Sequence, residues 1–221
     1  MNNNEKIVAL FDLDGVIIDT ESQYFRFWEI VGNKYYPELP DFALIIKGQT
    51  LVQIFNQYFA DSEEARAQLN RELNAFEDEM VYDYIPGAHE LLVELRSRGV
   101  KTGIVTSSDQ KKMNRVYAAH PELLTLVDKI FTAEMFPHSK PAPDCYLLGA
   151  EYFSVQPADC IVFEDSFNGL QSGMSAGMTV VGLSTTNPPE SLVGKCHCVL
   201  PDFVGIGYPD LLNIKTSVRT V

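Results

Sequence analysis

The 221 residues carry 17 basic and 30 acidic side chains, a formal net charge of −13, and 46% of them are apolar. That apolar share can bury a globular core, while the acidic balance, with no basic cluster denser than Lys111-Lys112, excludes nucleic acid and anionic membrane surfaces as partners. Apolar runs of about five residues are too short to cross a bilayer, and the start, Met1-Asn2-Asn3-Asn4-Glu5-Lys6, does not read as a secretory signal, so the cytoplasm is the expected setting.

In chain order, Ile7-Val8-Ala9-Leu10-Phe11 is apolar at every position, the pattern of a strand covered on both faces. From Glu21 to about Tyr82 the patterns are helical. Phe27, Trp28 and Val31 mark one helix; Leu51, Ile54, Phe55, Tyr58 and Phe59 mark a second. Ala65, Leu69, Leu73, Phe76 and Met80 recur every three or four residues in a third, opened by Asp61-Ser62-Glu63-Glu64, which offers capping groups and first-turn acids. A helix with Leu91, Leu92 and Leu95 on one face starts near Pro86 and stops at Gly99. Strands follow at Val100 to Val105, Lys129 to Phe131, Cys160 to Phe163 and Thr179 to Leu183, with a helix around Leu147, Leu148 and Tyr152. Strands alternating with helices predict an α/β fold with a parallel sheet, interrupted after its first strand by a helical module. The four cysteines read as free thiols, because Cys196 and Cys198 around His197 match no zinc-site spacing.

Open α/β sheets place their sites beyond the carboxyl ends of the strands. Asp12-Leu13-Asp14-Gly15 follows the first strand, Thr106-Ser107-Ser108-Asp109 follows Val105, and Glu164-Asp165-Ser166 follows Phe163; Ser139-Lys140-Pro141 precedes a helix. Carboxylates gathered on one rim repel one another, and a divalent cation relieves that; carboxylate ligands with few His or Cys favour Mg²⁺. The pattern suits phosphoryl transfer, in which a carboxylate forms an aspartyl-phosphate and positive groups neutralise the phosphoryl oxygens. Lys140, the Thr106 hydroxyl and the Ser107 backbone N–H would hold those oxygens. Asp14 would protonate the leaving oxygen and later deprotonate water.

These segments resemble the four motifs of the haloacid dehalogenase superfamily, in order: Phe11-Asp12-Leu13-Asp14-Gly15-Val16, Val105-Thr106-Ser107-Ser108, Ser139-Lys140-Pro141-Ala142-Pro143-Asp144, and Phe163-Glu164-Asp165-Ser166-Phe167-Asn168-Gly169. The resemblance runs from about Ile7 to Leu183. It implies a Rossmann-like α/β core of residues 1–16 and 84–221 with an inserted α-helical cap, residues 17–83, that gates the site. It implies Asp12 as phosphoryl nucleophile and Asp14 as general acid/base with its backbone carbonyl on Mg²⁺. Asp165, and less directly Glu164, would complete the metal site. The second aspartate of the first motif, Asp14, argues against halide displacement.

Within the superfamily the chain is similar to the branch that holds β-phosphoglucomutases and sugar-phosphate phosphatases, with Thr20 and Lys47-Gly48 at the cap positions that would face substrate. Tyr24 stands where the mutase pattern has histidine, and Leu51 where it has a phosphate-binding arginine. Loss of a bidentate guanidinium weakens a second phosphate site. Hydrolysis of a small, sugar-derived phosphate monoester is therefore expected ahead of mutase activity, with inorganic pyrophosphate as a further alternative substrate and a monomer as the default state. His89, His120 and His138 read as surface or loop residues, Asp109 and Ser166 as helix caps, and Asp144 as either a first-turn acid or a brace for Lys140.

Overall fold

The computed structural model describes residues 7–46, 49 and 51–219. The sheet-forming runs become strands: β1 (Val8–Phe11), β2 (Lys101–Val105), β4 (Cys160–Glu164) and β5 (Thr179–Leu183) are buried along nearly their whole length, while β3 (Lys129–Phe131) is half-buried until Phe131. A further strand, β6 (Cys198–Leu200), closes one edge, and all pairings are parallel in the order β3-β2-β1-β4-β5-β6. Parallel pairing requires crossovers, and helices supply them. They are α5 (Ala88–Ser97), α6 (Gln110–Ala119), α7 (Leu123–Leu126), α8 (Asp144–Tyr152), α9 (Phe167–Ser175) and α10 (Pro189–Leu192); α11 (Tyr208–Arg219) follows the last strand. Where α5 ends, the Val100 N–H returns to the Leu95 carbonyl and the Gly99 N–H to Arg96, so the helix stops at its glycine as expected.

Alternation along β1 sends its side chains to opposite faces. Val8 and Leu10 join one core cluster with Cys145, Tyr146, Ala150 and Leu170 of α8 and α9. Phe11 stacks on Phe163 of β4 with ring centroids 4.7 Å apart, and Phe203 meets both rings edge-on. Full burial of side chains of this size contributes about 1.5–3 kcal/mol each, which pins the sheet core.

The chain divides into two compact units, residues 1–19 with 82–221 and Thr20–Val81. The helical unit lies inside the 17–83 window and contains α1 (Glu21–Tyr35), α2 (Phe42–Ile45), α3 (Leu51–Tyr58) and α4 (Glu63–Glu79). Phe27, Val31, Phe42, Ile46, Ile54, Phe59 and Leu69 form its core. Rings do much of the packing: Tyr36 stacks on Phe42 at 5.1 Å and Phe27 on Phe76 at 4.9 Å. Ser62 caps α4 by accepting from the Ala65 N–H, with Glu63 and Glu64 in the first turn.

In the α/β unit, the segments leading to and from the insertion pair with each other. The Ile85 N–H donates to the Ile17 carbonyl at 2.9 Å and the Asp19 N–H to Asp83 at 2.8 Å. Ile17 and Ile18 are fully buried there.

Candidate active site

The parallel register brings the chemical residues together. Phe11 lies opposite Ile104 of β2 and Phe163 of β4, so Asp12, the next residue on its chain, emerges beside Val105 on one side and Glu164 on the other. The Asp12 N–H donates to the Phe163 carbonyl at 3.0 Å, which extends the pairing to the aspartate itself.

Lys140 fastens the three strand ends. Its Nζ donates to Asp12 Oδ1 at 2.5 Å, Glu164 Oε1 at 2.6 Å and the Val105 carbonyl at 3.0 Å. Burial works against its ammonium, but Asp12 and Glu164 outweigh that and hold its pKa well above the usual lysine range. Burial pushes the Asp12 carboxyl up to about 7 against the pull of Lys140, with Glu164 and Asp14 adding repulsion.

Glu164 is fully buried and saturated with donors. Oε1 takes Lys140 and the Tyr146 hydroxyl at 2.8 Å; Oε2 takes the Asp165 N–H, the Ser166 N–H and the Ser166 hydroxyl. Burial, then Glu164, keep Tyr146 protonated, so it serves as a donor. A Cβ at position 169 would sit 1.9 Å from the Glu164 carboxyl carbon, so the first turn of α9 carries glycine where the carboxylate lies against it. Ser166 also caps that helix, accepting from the Gly169 N–H at 3.0 Å.

Asp12, Glu164 and Asp165 each offer a carboxylate oxygen within 4.8 Å of the others. Three converging carboxylates are the donor chemistry that Mg²⁺ takes. With Glu164 occupied by five donors, Asp12 and Asp165 are the carboxylates suited to direct contact and Glu164 to orienting them.

Asp14 sits in a second polar cluster: Lys112 Nζ donates to Oδ1 at 2.5 Å and the Ser108 hydroxyl to Oδ2 at 2.9 Å. Asp109 caps α6 through the Lys112 N–H at 2.8 Å, which sets the lysine one turn into the helix, where its side chain reaches Asp14. Thr106 is buried at the end of β2, its hydroxyl accepting from the Ser108 N–H at 3.0 Å, and Ser107 is exposed beside it. In the helical unit, Thr20 is fully buried, and the Tyr24 hydroxyl donates to Glu77 at 3.0 Å. Lys47 and Gly48 lie outside the described residues.

Sequence reading passed over Lys112, Tyr146 and Thr186, which donate to Asp14, Glu164 and Asp165 respectively. The one available signal was the position of Lys112 three residues after the capping Asp109. Asp144 opens α8 and pairs with His138 at 2.8 Å. His120, read as a surface or loop residue, stands in the loop after α6, half-buried; it packs on the Tyr84 ring at 4.3 Å and contacts both Glu122 and the Tyr82 carbonyl.

Residues 9–183 match the family described as Haloacid dehalogenase-like hydrolase. Hexitol phosphatase A of Escherichia coli (strain K12) is 32% identical over 180 residues, covering 79% of this chain and 82% of that protein. Beta-phosphoglucomutase of Bacillus subtilis (strain 168) is 31% identical over 194 residues, covering 81% and 84%. The crystal structure of a HAD hydrolase, family IA, variant 3, from Entamoeba histolytica HM-1:IMSS superposes with a TM-score of 0.81 at 22% identity, over 95% of this chain and 99% of that one, a likeness of fold. The family match spans Asp12, Asp14, Thr106, Lys140 and Glu164, and with two relatives above 30% identity along most of their length it shows that the chain belongs to the haloacid dehalogenase-like hydrolases.

Proposed function

We propose that the protein is a Mg²⁺-dependent phosphatase that hydrolyses a small, sugar-derived phosphate monoester through an aspartyl-phosphate on Asp12. The observation that carries this reading is the clasp of Asp12 by Lys140 at the junction of β1, β2 and β4, beside the Asp165 carboxylate and with Asp14 two residues on. A carboxylate oxygen of Asp12 attacks phosphorus, the ester P–O bond breaks, and Asp14 gives its proton to the leaving oxygen. Asp14 then takes a proton from water, which attacks the aspartyl-phosphate; phosphate leaves and Asp12 is restored. Lys140, Thr106 and Ser107 hold the phosphoryl oxygens, and Lys112 and Ser108 keep the Asp14 carboxylate in place. Asp12, Asp165 and the Asp14 backbone carbonyl would hold Mg²⁺, with Glu164 acting indirectly; when bound, the ion neutralises charge on the phosphoryl group. Thr20, Tyr24, Lys47 and Gly48 are proposed as substrate-side residues of the inserted unit. Free cysteines suit the reducing cytoplasm in which such a monomeric enzyme would act on a phosphorylated metabolite.

Leu51, which opens α3, favours hydrolysis over mutase chemistry because it offers no charge to hold a second phosphate. The test is a panel of phosphorylated sugars, polyols and pyrophosphate scored for both orthophosphate and isomerised product. Orthophosphate release from a monoester is expected, cut by at least about 10³-fold in Asp12→Asn and abolished by EDTA. Isomerisation without net orthophosphate would overturn the assignment in favour of a mutase.

A further inference from the structure

We infer that Thr186, on the loop after β5, is a positioning residue that fixes the Asp165 carboxylate for the divalent cation, an inference that rests on the metal reading above. Three consecutive side chains of this loop reach back to the site. The Thr185 hydroxyl donates to the Gly15 carbonyl at 2.5 Å, the Thr186 hydroxyl donates to Asp165 Oδ2, and Asn187 Nδ2 donates to the Asp165 carbonyl at 2.9 Å. Asp165 is thus gripped at its carboxylate and at its backbone, and the loop ties the ends of β1 and β4 to that of β5.

The fit is tight. Gly15 has φ +74°, and a Cβ there would lie 2.3 Å from Asp165 Oδ2 and 2.7 Å from Thr186 Oγ1, so the aspartate and threonine occupy the space that a side chain at 15 would need. This grip answers an electrostatic problem. Asp12, Glu164 and Asp165 bring their oxygens within 4.8 Å of one another, and three carboxylates so placed repel. Lys140 answers Asp12 and Glu164; a hydroxyl donor of fixed position answers Asp165. Partners that orient a metal-binding carboxylate are typically worth 10–100-fold in metal affinity.

The test is calorimetric titration of Mg²⁺ into the metal-stripped full chain. Thr186→Val is expected to raise the Kd about 10–100-fold, whereas Thr186→Ser, which restores the donor, stays close to wild type. Thr186→Val binding as tightly as wild type overturns the inference and leaves the metal reading standing. So does an equal loss in Thr186→Ser and Thr186→Val, which would trace the effect to packing rather than to the donor. Should Thr186→Val fail to fold, Thr186→Ala carries the test: weakened Mg²⁺ binding is expected, and unchanged affinity overturns the inference. A wild-type chain that binds no Mg²⁺, or an Asp165→Asn variant that binds it undiminished, removes the metal reading itself and the role of Thr186 with it.

Discussion

The two units of the chain bury different chemistry. Asp12, Glu164, Asp165, Lys112, Lys215 and Thr106 are all buried in the α/β unit, whereas among the described residues Thr20 is the one buried polar side chain of the helical unit. The helical core is hydrocarbon and aromatic ring. Burying a charge carries a desolvation cost that an ion pair offsets only with good geometry and further hydrogen bonds, so the α/β unit gives up stability to hold its carboxylates and lysines in fixed array. Among the described residues of the helical unit no ionisable side chain is buried, and the ion pair Lys34–Glu72 is solvent-exposed and adds little. Chemistry and stability are thereby segregated, and each side of that division can be tested.

The largest effect is expected from Lys140→Met, which leaves Asp12 and Glu164 facing each other without their shared cation. Breaking a buried pair on one side costs about 3–5 kcal/mol, so urea unfolding of the metal-free variant should shift by that amount and phosphate release should vanish. A change below about 1 kcal/mol would show that the buried charges are not held at a cost.

The same array predicts an unusual pH dependence. Burial pushes Asp12 up to about 7 from an ordinary 3.8, so between those values the folded chain keeps a proton that the unfolded chain has lost. This contribution is complete below about pH 4 and is lost as pH rises through about 7, opposite in sign to that of an aspartate whose pKa is depressed by a salt bridge. In EDTA the urea midpoint should be higher near pH 5 than near pH 8, and Asp12→Asn should shrink the difference. An Asp12→Asn variant that keeps the whole difference would assign it to other groups.

Phe42→Ala strikes the other unit. Phe42 is buried, stacks on Tyr36 and meets the edge of Tyr58 at 5.0 Å, so truncation should cost about 3 kcal/mol. Because the carboxylates assigned to the metal all lie in the α/β unit, Mg²⁺ affinity by calorimetry should stay near wild type. Equal losses of stability and Mg²⁺ binding would break the division.

How much of this was legible in the sequence follows the same line. The strands β1 to β5 announce themselves as short apolar runs, and residues at or just past the ends of β1, β2 and β4 converge on Lys140. What escaped depends on long-range placement. Lys112 is 98 residues from Asp14, and Thr186 is 21 residues from Asp165; no local period encodes either pairing, which the strand order creates. Strand β6, a three-residue edge with every side chain half-buried, was also passed over, although β3 is equally short. The segment at Phe42–Ile45 is likewise a single turn, placed by the burial of Phe42 and Ala43 rather than by any repeat.

The smallest predicted effect compares one capping interaction across the two units. Ser62 and Ser166 each accept a backbone N–H three residues on, from Ala65 and Gly169. Ser62 stands in an exposed turn, so Ser62→Ala should cost about 1 kcal/mol, and Ser62→Gly a few tenths, with turnover unchanged. Ser166 does the same work and also donates its hydroxyl to Glu164 Oε2 at 3.1 Å. Ser166→Ala removes the cap and a donor to a fully buried carboxylate, so thermal unfolding should show a greater loss, and turnover should fall with it. Equal costs at the two serines would mean that the hydroxyl at 166 serves its helix alone; a larger cost at 166 marks the point where ordinary helix capping has been drawn into holding a buried charge.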